Sequence, residues 1–124
     1  MVTLNAVPSF VGHGYGNSVV RTARDAEYEI ISRVTHMLRR AVEGGPGRDR
    51  IAAVHKNNEL WTILAADLAS PENGLPDDVK AGLLSLAAFS LRHGHQALAG
   101  TAGIEALIDM NMALMRGLRH EAAT

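Results

Sequence analysis

The segment from Leu75 to Gly100 constrains the fold of this chain more than any other. Pro76 suits the first turn of a helix, where its missing N–H would have no partner. Asp77 and Asp78 follow and place negative charge at the positive end of the helix dipole. Glycine is a typical residue just after a helix, so Gly100 marks the end. The pattern therefore predicts one long helix across this segment.

Apolar or small side chains cover roughly 260° of this helix at about 100° per residue, whereas an ordinary surface helix needs little more than about 100°. The apolar residues form two stripes, one of Val79, Leu83, Leu86, Phe89 and Ser90 and the other of Leu84, Ala88, Leu91 and Leu98. A polar ridge of Asp78, Ser85, Arg92 and Gln96 separates them. We expect neighbouring helices or a partner to cover this helix on most sides.

Three further segments show helical periodicity, and no segment shows the alternation of a strand. The capping signature at Thr22 and Asp25 predicts a first helix over residues 22–43, which the glycines of residues 44–47 end. A second helix is predicted over residues 48–69 and a last one over residues 101–120. Their inward stripes are Ile30, Ile31, Val34, Met37, Leu38 and Ala41; Val54, Asn57, Trp61, Leu64, Ala65 and Leu68; and Ile104, Leu107, Ile108, Asn111, Leu114, Met115 and Leu118.

These segments predict an all-α fold, a single-domain antiparallel bundle of about four helices over residues 22–120. The chain of 124 residues is long enough for one such core. Residues 1–21 carry Pro8 and three glycines without a sustained period, so they are expected to form a flexible or partly helical N-terminal arm.

Composition narrows the function classes. The formal net charge is −1, and this argues against broad nucleic-acid binding, which depends on neutralising phosphates with Lys and Arg. A small basic spot of Arg39, Arg40, Arg48 and Arg50 keeps RNA binding open as an alternative. There is no cysteine, no secretory signal pattern and no apolar run of membrane-spanning length. A cytoplasmic protein without a membrane span is expected.

No catalytic arrangement can be assembled from the spacing of reactive side chains. His93 and His95 are the most metal-like pair, but at i, i+2 on a helix their imidazoles point to opposite sides. Asp77 and Asp78 are explained by the helix dipole rather than by acid–base chemistry. We therefore expect no enzyme activity, no metal and no cofactor.

Three residues are predicted to have structural roles inside the bundle. Trp61 is the only tryptophan and lies on the stripe of the second helix. Asn57 and Asn111 lie within otherwise apolar stripes, and a buried amide needs hydrogen-bond partners. The two amides are expected to bond each other or a neighbouring backbone.

A different set of apolar residues exceeds what the helices need for their own packing, and a joined apolar patch suggests a partner. We expect some of them to face a groove for an amphipathic helix: Leu60, Ile63, Leu84, Ala88 and Leu91. Two alternatives stay open, because the N-terminal arm or the second copy of a homodimer could cover the same residues.

Several short motifs together resemble the FlaF family of flagellar biosynthesis regulators from alphaproteobacteria. In chain order they are residues 24–28, Val34-Thr35, Asn57 with Leu60-Trp61, residues 73–76, Ser85-Leu86, residues 90–93, and residues 108–111 with Met115 and Gly117-Leu118. The resemblance extends over residues 15–118, and it depends on the order and spacing of the motifs rather than on any one of them.

The resemblance implies a helper of flagellin without catalytic activity. FlaF proteins are thought to control flagellin synthesis together with FlbT and to act as flagellin secretion chaperones. Flagellin is therefore the expected partner, and FlbT is a further candidate. The alternatives are an RNA-binding regulator that acts on flagellin mRNA and a structural helical dimer.

Overall fold

The computed structural model describes the backbone of residues 17–123 and the side chains of residues 27–118. Four helices form this part of the chain: α1 (Asn17–Gly44), α2 (Arg48–Ala69), α3 (Asp77–Leu98) and α4 (Glu105–Ala123). Short connections join them into a helical bundle, and residues 17–123 contain no strand. α1 packs against both α2 and α4, α2 also packs against α3, and the contact between α3 and α4 is the smallest of the four. The predicted all-α fold is confirmed.

The first helix begins earlier than predicted. α1 starts at Asn17 rather than at the capping signature of Thr22, so residues 17–21, which were expected to be flexible or partly helical, form its first turns. Asn17 and Ser18 are themselves residues of helix-capping type, and nothing between them and Thr22 interrupts a helix. The rest of the predicted arm, residues 1–16, lies outside the described residues.

The predicted end of α3 is confirmed in detail. Gly100 has a left-handed backbone with φ of +81°. Its N–H donates to the carbonyl of Ala97 at 3.1 Å, and the N–H of Thr101 donates to the carbonyl of Gln96 at 2.9 Å. This pair of bonds is the Schellman motif, which satisfies the last carbonyls of a helix. Thr101 takes part in this motif, and α4 begins at Glu105 rather than at about Thr101 as predicted.

The connection from α2 to α3 is anchored by Asn73, which is only 3% exposed. Its side-chain oxygen accepts a hydrogen bond from the N–H of Leu75 at 3.0 Å, and its Nδ2 donates to a carboxylate oxygen of Asp67 at 3.3 Å. The turn directs Leu75 into the core immediately before α3 starts. The hydrogen bonds of Asn73 therefore also set the direction in which the chain leaves α2 and enters α3.

The core has two apolar clusters. The larger one joins all four helices and contains Ile31, Val34, Leu60, Trp61, Leu64, Leu68, Leu75, Ala87, Leu114, Met115 and Leu118. The smaller one lies toward the turn between α1 and α2 and contains Leu38, Ala41, Ala53, Val54, Ile104 and Leu107. Most of the inward stripes predicted from periodicity are buried in these clusters.

Met37 departs from the predicted stripe of α1. It was expected to face inward, but its side chain is 39% exposed. Met37 lies about 100° around the helix from Leu38, at the edge of the stripe. Ala52 and Ala53 of α2 line the same surface, and they are too short to cover a methionine.

α3 is less enclosed than its sequence predicts. Its fully buried residues are Ala87, Ser90 and Gly94, all of them small. The leucines on both sides of this line pack against the larger cluster but stay half-buried. Within the described residues, therefore, no neighbour covers the flanks of α3 completely. No helix in residues 17–123 combines the length and the apolar character that a membrane crossing requires.

Candidate functional site

A chain of polar side chains crosses the centre of the bundle between α2 and α4. The indole N–H of Trp61 donates to the Oδ1 of Asn111 at 2.8 Å, and the Nδ2 of Asn111 donates to the Oδ1 of Asn57 at 2.7 Å. Asn57 and Asn111 are completely buried, and Trp61 is 1% exposed. The two amides thus bond each other, as their places in apolar stripes predict. Because Asn57, Asn111 and Trp61 are not accessible from the protein surface, we interpret their role as structural.

This polar chain is incompletely satisfied. The Nδ2 of Asn57 is buried and has no hydrogen-bond partner among the described residues, and the same holds separately for the hydroxyl of Ser90 on α3. Each such group costs free energy in the folded state, because water would have satisfied it in the unfolded chain. The contact of α3 with the rest of the bundle therefore includes an unfavourable polar term as well as small apolar side chains.

The structure removes Leu60 from the predicted partner surface. Its side chain is 4% exposed and belongs to the larger core cluster. Leu60 lies about 60° from Asn57 on the helical wheel, which is close enough to the stripe of α2 for α1 to cover it. A partner could not reach it without opening the bundle.

The remaining predicted residues do not form one joined patch, because α2 separates them. The side chain of Asn58 occupies the space next to Gly94 of α3, so this side of α2 faces α3. Ile63 lies about 140° around α2 from Asn58 but only about 20° from Ala52, which lines the surface shared with α1. Ile63 is half-buried and packs against the core on that other side.

Leu84, Ala88 and Leu91 do lie together, at i, i+4 and i+7 along one flank of α3. Leu84 and Leu91 are half-buried against the core, and Ala88 is exposed. On α2, Thr62 and Ala65 lie within about 40° of Asn58, on the side of this helix that faces α3. We call the whole surface the α2–α3 strip and define it by Asn58, Thr62, Ala65, Leu84, Ala88 and Leu91.

The α2–α3 strip has no ionisable side chain. The hydroxyl of Thr62 donates to the carbonyl of Asn58 at 2.8 Å, so its hydrogen is used within α2. The rest of the strip is aliphatic apart from the amide of Asn58. Such a surface can take the apolar face of another helix, whereas it offers no acid, base or nucleophile of its own.

The two histidines that were weighed as metal ligands each lie within hydrogen-bonding distance of a backbone carbonyl. One ring nitrogen of His93 lies 2.8 Å from the carbonyl of Gly103, and one of His95 lies 2.7 Å from the carbonyl of Leu91. Among the described residues, no three ligand-type side chains come close enough together to hold a metal ion.

Sequence reasoning missed a second surface, a cleft of about 300 Å³ between α1 and α2. Met37, Arg40 and Ala41 line it from α1, and Asp49, Ala52 and Ala53 line it from α2. We call it the α1–α2 cleft. The available signal was the short alanine pair of α2 opposite Met37, which leaves a gap where a longer side chain would have filled the space.

Comparison with known proteins gives one match. A family model described as flagellar protein FlaF matches residues 15–118. The match extends from the start of α1 into the last turns of α4, so it contains both the α2–α3 strip and the α1–α2 cleft. No curated protein and no solved structure matches the chain.

Proposed function

The chain belongs to the FlaF family of flagellar proteins, and on that premise we propose that it binds flagellin in the cytoplasm. In this proposal it acts as a secretion chaperone and as a post-transcriptional regulator of flagellin, without catalysing a reaction. Its ligand is an amphipathic helical segment of flagellin that has not yet assembled.

The observation that carries the proposal is the α2–α3 strip. Leu84 and Leu91 are half-buried, Ala88 between them is exposed, and none of the six residues of the strip is charged. An amphipathic helix presents its apolar residues at i, i+3, i+4 and i+7, which is the spacing that Leu84, Ala88 and Leu91 have themselves. Two such surfaces pack side by side with the geometry of helices in a bundle. The bound segment would extend the bundle by one helix.

The strip supports reversible rather than permanent binding. Full burial of one leucine side chain stabilises a complex by about 1.5–3 kcal/mol, and the two half-buried leucines have only about half of that left to gain. Association also costs free energy for lost translation, rotation and side-chain freedom. A surface of this size therefore favours moderate affinity, and a chaperone that hands its cargo to a secretion system must be able to release it.

The test is co-purification of the full chain with flagellin, with flagellin lacking its N-terminal segment, and with flagellin lacking its C-terminal segment. Ala88→Glu introduces a charge at the exposed centre of the strip and keeps a good helix-forming residue. Ser85→Glu is the matched control, because Ser85 is exposed on the polar ridge of the same helix. Circular dichroism should show the same helix content for both variants.

We expect flagellin affinity to fall by about tenfold or more for Ala88→Glu, since the new carboxylate would lose water against the apolar face of the ligand, and to stay unchanged for Ser85→Glu. We also expect loss of binding for one of the two truncated flagellins. Undiminished capture by a folded Ala88→Glu variant would exclude the strip. Equal capture of both truncated flagellins would exclude a terminal helix as the ligand.

A further inference from the structure

We propose that the α1–α2 cleft is a second docking surface, and that it takes an acidic amphipathic helix from a protein partner. The proposal does not depend on flagellin binding at the α2–α3 strip, because the cleft lies on the side of α2 that faces α1. Three features support it: the shape of the cleft, the exposure of one apolar side chain at its rim, and an excess of positive charge around it.

The floor of the cleft is firm and apolar. Ala41 is 3% exposed and Ala53 is 1% exposed, and both belong to the smaller core cluster. The rim carries Met37 at 39% exposure. Methionine adapts its shape to irregular partners, so it suits a wall that closes over an inserted side chain. A volume of about 300 Å³ lies at the lower end of ligand pockets and suits one large apolar anchor of a helix.

The charges at the cleft are not paired with each other. Arg40 and Asp49 line it from opposite helices, yet neither takes part in an ion pair within the described residues. Asp49 lies in the first turn of α2, where the helix dipole already stabilises a carboxylate. Arg40 has no comparable compensation. It is therefore the side chain at the rim that is free to bind an anionic group.

The surrounding charge has the same sign as Arg40. Of the four arginines in residues 39–50, Arg39 donates to the Sδ of Met112 on α4, which leaves Arg40, Arg48 and Arg50 against two acids, Glu43 and Asp49, around the turn between α1 and α2. The Nε of Arg50 is buried and has no hydrogen-bond partner among the described residues. This excess positive charge favours an acidic ligand. A helix can satisfy both requirements with an apolar anchor and an acidic residue three or four positions away.

The same arginines are what an RNA ligand would use, and the structure favours protein over RNA at this place. Single-stranded RNA is bound by basic grooves in which aromatic side chains stack on the bases. No aromatic residue lines the α1–α2 cleft, and its apolar floor of alanines offers nothing to a phosphate. RNA binding thus becomes an outcome that the experiment can detect.

The experiment measures fluorescence anisotropy of three labelled probes against the full chain. The first probe is an alanine-rich peptide of about 20 residues, long enough to be helical, with leucines at i, i+3, i+4 and i+7 and glutamates beside them. The second replaces every glutamate by lysine. The third is a single-stranded RNA oligonucleotide of mixed sequence.

Two pairs of variants localise the binding. Met37→Ser removes the apolar rim, and its control is Ile51→Ser, because Ile51 is 51% exposed but does not line the cleft. Arg40→Ala removes the cation of the cleft, and its control is Arg48→Ala, an exposed arginine outside it. All four positions lie on helices and are exposed to solvent, so the variants should fold, which circular dichroism checks.

We expect the acidic peptide to bind at least about tenfold more tightly than the basic one, and Met37→Ser and Arg40→Ala each to weaken it by about tenfold. The control variants should leave its affinity within about twofold. The proposal is overturned if the acidic peptide does not bind, if the basic peptide binds equally well, or if the controls lose as much affinity as the cleft variants. It is also overturned if RNA binds more tightly than the peptide and Arg40→Ala abolishes that binding.

Discussion

The buried chain from Trp61 through Asn111 to Asn57 leads to an unequal effect of two similar substitutions. In Asn111→Leu, the indole N–H of Trp61 loses its acceptor and the Oδ1 of Asn57 loses its donor. The Nδ2 of Asn57 has no partner to begin with among the described residues. Two additional buried polar groups are therefore left without partners.

Asn57→Leu has a different balance. This substitution leaves the Nδ2 of Asn111 without an acceptor. It also removes the Nδ2 of Asn57, a group that has no hydrogen-bond partner in the original protein among the described residues. The number of unsatisfied polar groups does not rise. Each additional one costs about 1–3 kcal/mol, so Asn111→Leu should destabilise the protein by about 2–6 kcal/mol more than Asn57→Leu does. Leucine strains both sites by its greater size, and that contribution largely cancels in the comparison.

The double variant sharpens the test. With both amides replaced, only the N–H of Trp61 remains without a partner, so the double variant should be more stable than Asn111→Leu alone. Equilibrium unfolding in urea measures all three, with fluorescence of the single tryptophan and circular dichroism as independent probes. Equal destabilisation by the two single substitutions, or simple addition of their effects in the double variant, would refute this account of the polar chain.

Three further predictions concern single residues. Gly100→Ala should lower the free energy of unfolding by about 1 kcal/mol, because Gly100 has a left-handed backbone. Gly82→Ala should raise it by about 0.5–1 kcal/mol, because Gly82 lies in open space within α3. Denaturant unfolding of both variants should show these opposite signs. Gly94→Ala should destabilise the protein by about 1–3 kcal/mol because its Cβ would collide with the side chain of Asn58, and thermal unfolding should show recovery when Asn58→Ala is added. Asn73→Ala should cost about 1–3 kcal/mol through loss of both its hydrogen bonds, and amide exchange should rise at the turn before α3, an increase that a purely global effect would not confine there.

The helices could be predicted from the sequence because strong local signals mark their ends. Ser70 and Pro71 stop α2 where they were expected to, and Gly100 stops α3 through its left-handed backbone. The starts of α1 and α4 were less predictable. Asn17 and Thr22 are both residues of helix-capping type, and α1 begins at the first of them. Local chemistry alone does not decide that.

Periodicity could not place Leu60 and Ile63 relative to α3, and the reason is physical. Periodicity shows which residues share a face of one helix, as it does for Leu84, Ala88 and Leu91. It does not show which faces of two helices meet. The side chain of Asn58 lies against Gly94 and so shows which side of α2 faces α3. Ile63 lies on a different side of α2, away from the α3 residues. The α1–α2 cleft was missed for the same reason, because a gap opposite Met37 arises only when Ala52 is placed beside it.

The incomplete burial of α3 follows from the side chains that hold it. Its buried line of Ala87, Ser90 and Gly94 contributes little volume, so the larger residues of the neighbouring helices, Trp61 and Leu64 among them, fill the space in front of it. The leucines of α3 itself lie on either side of this buried line and stay half-buried. A helix bound to the α2–α3 strip would cover those leucines and contact α2 and α3 together. We therefore expect a bound flagellin segment to raise the melting temperature of the protein and to slow amide exchange in α3 more than in α1, since ligand binding stabilises the element that it contacts. Slower exchange in α1 alone would place the ligand elsewhere and would leave the flanks of α3 without the role proposed for them.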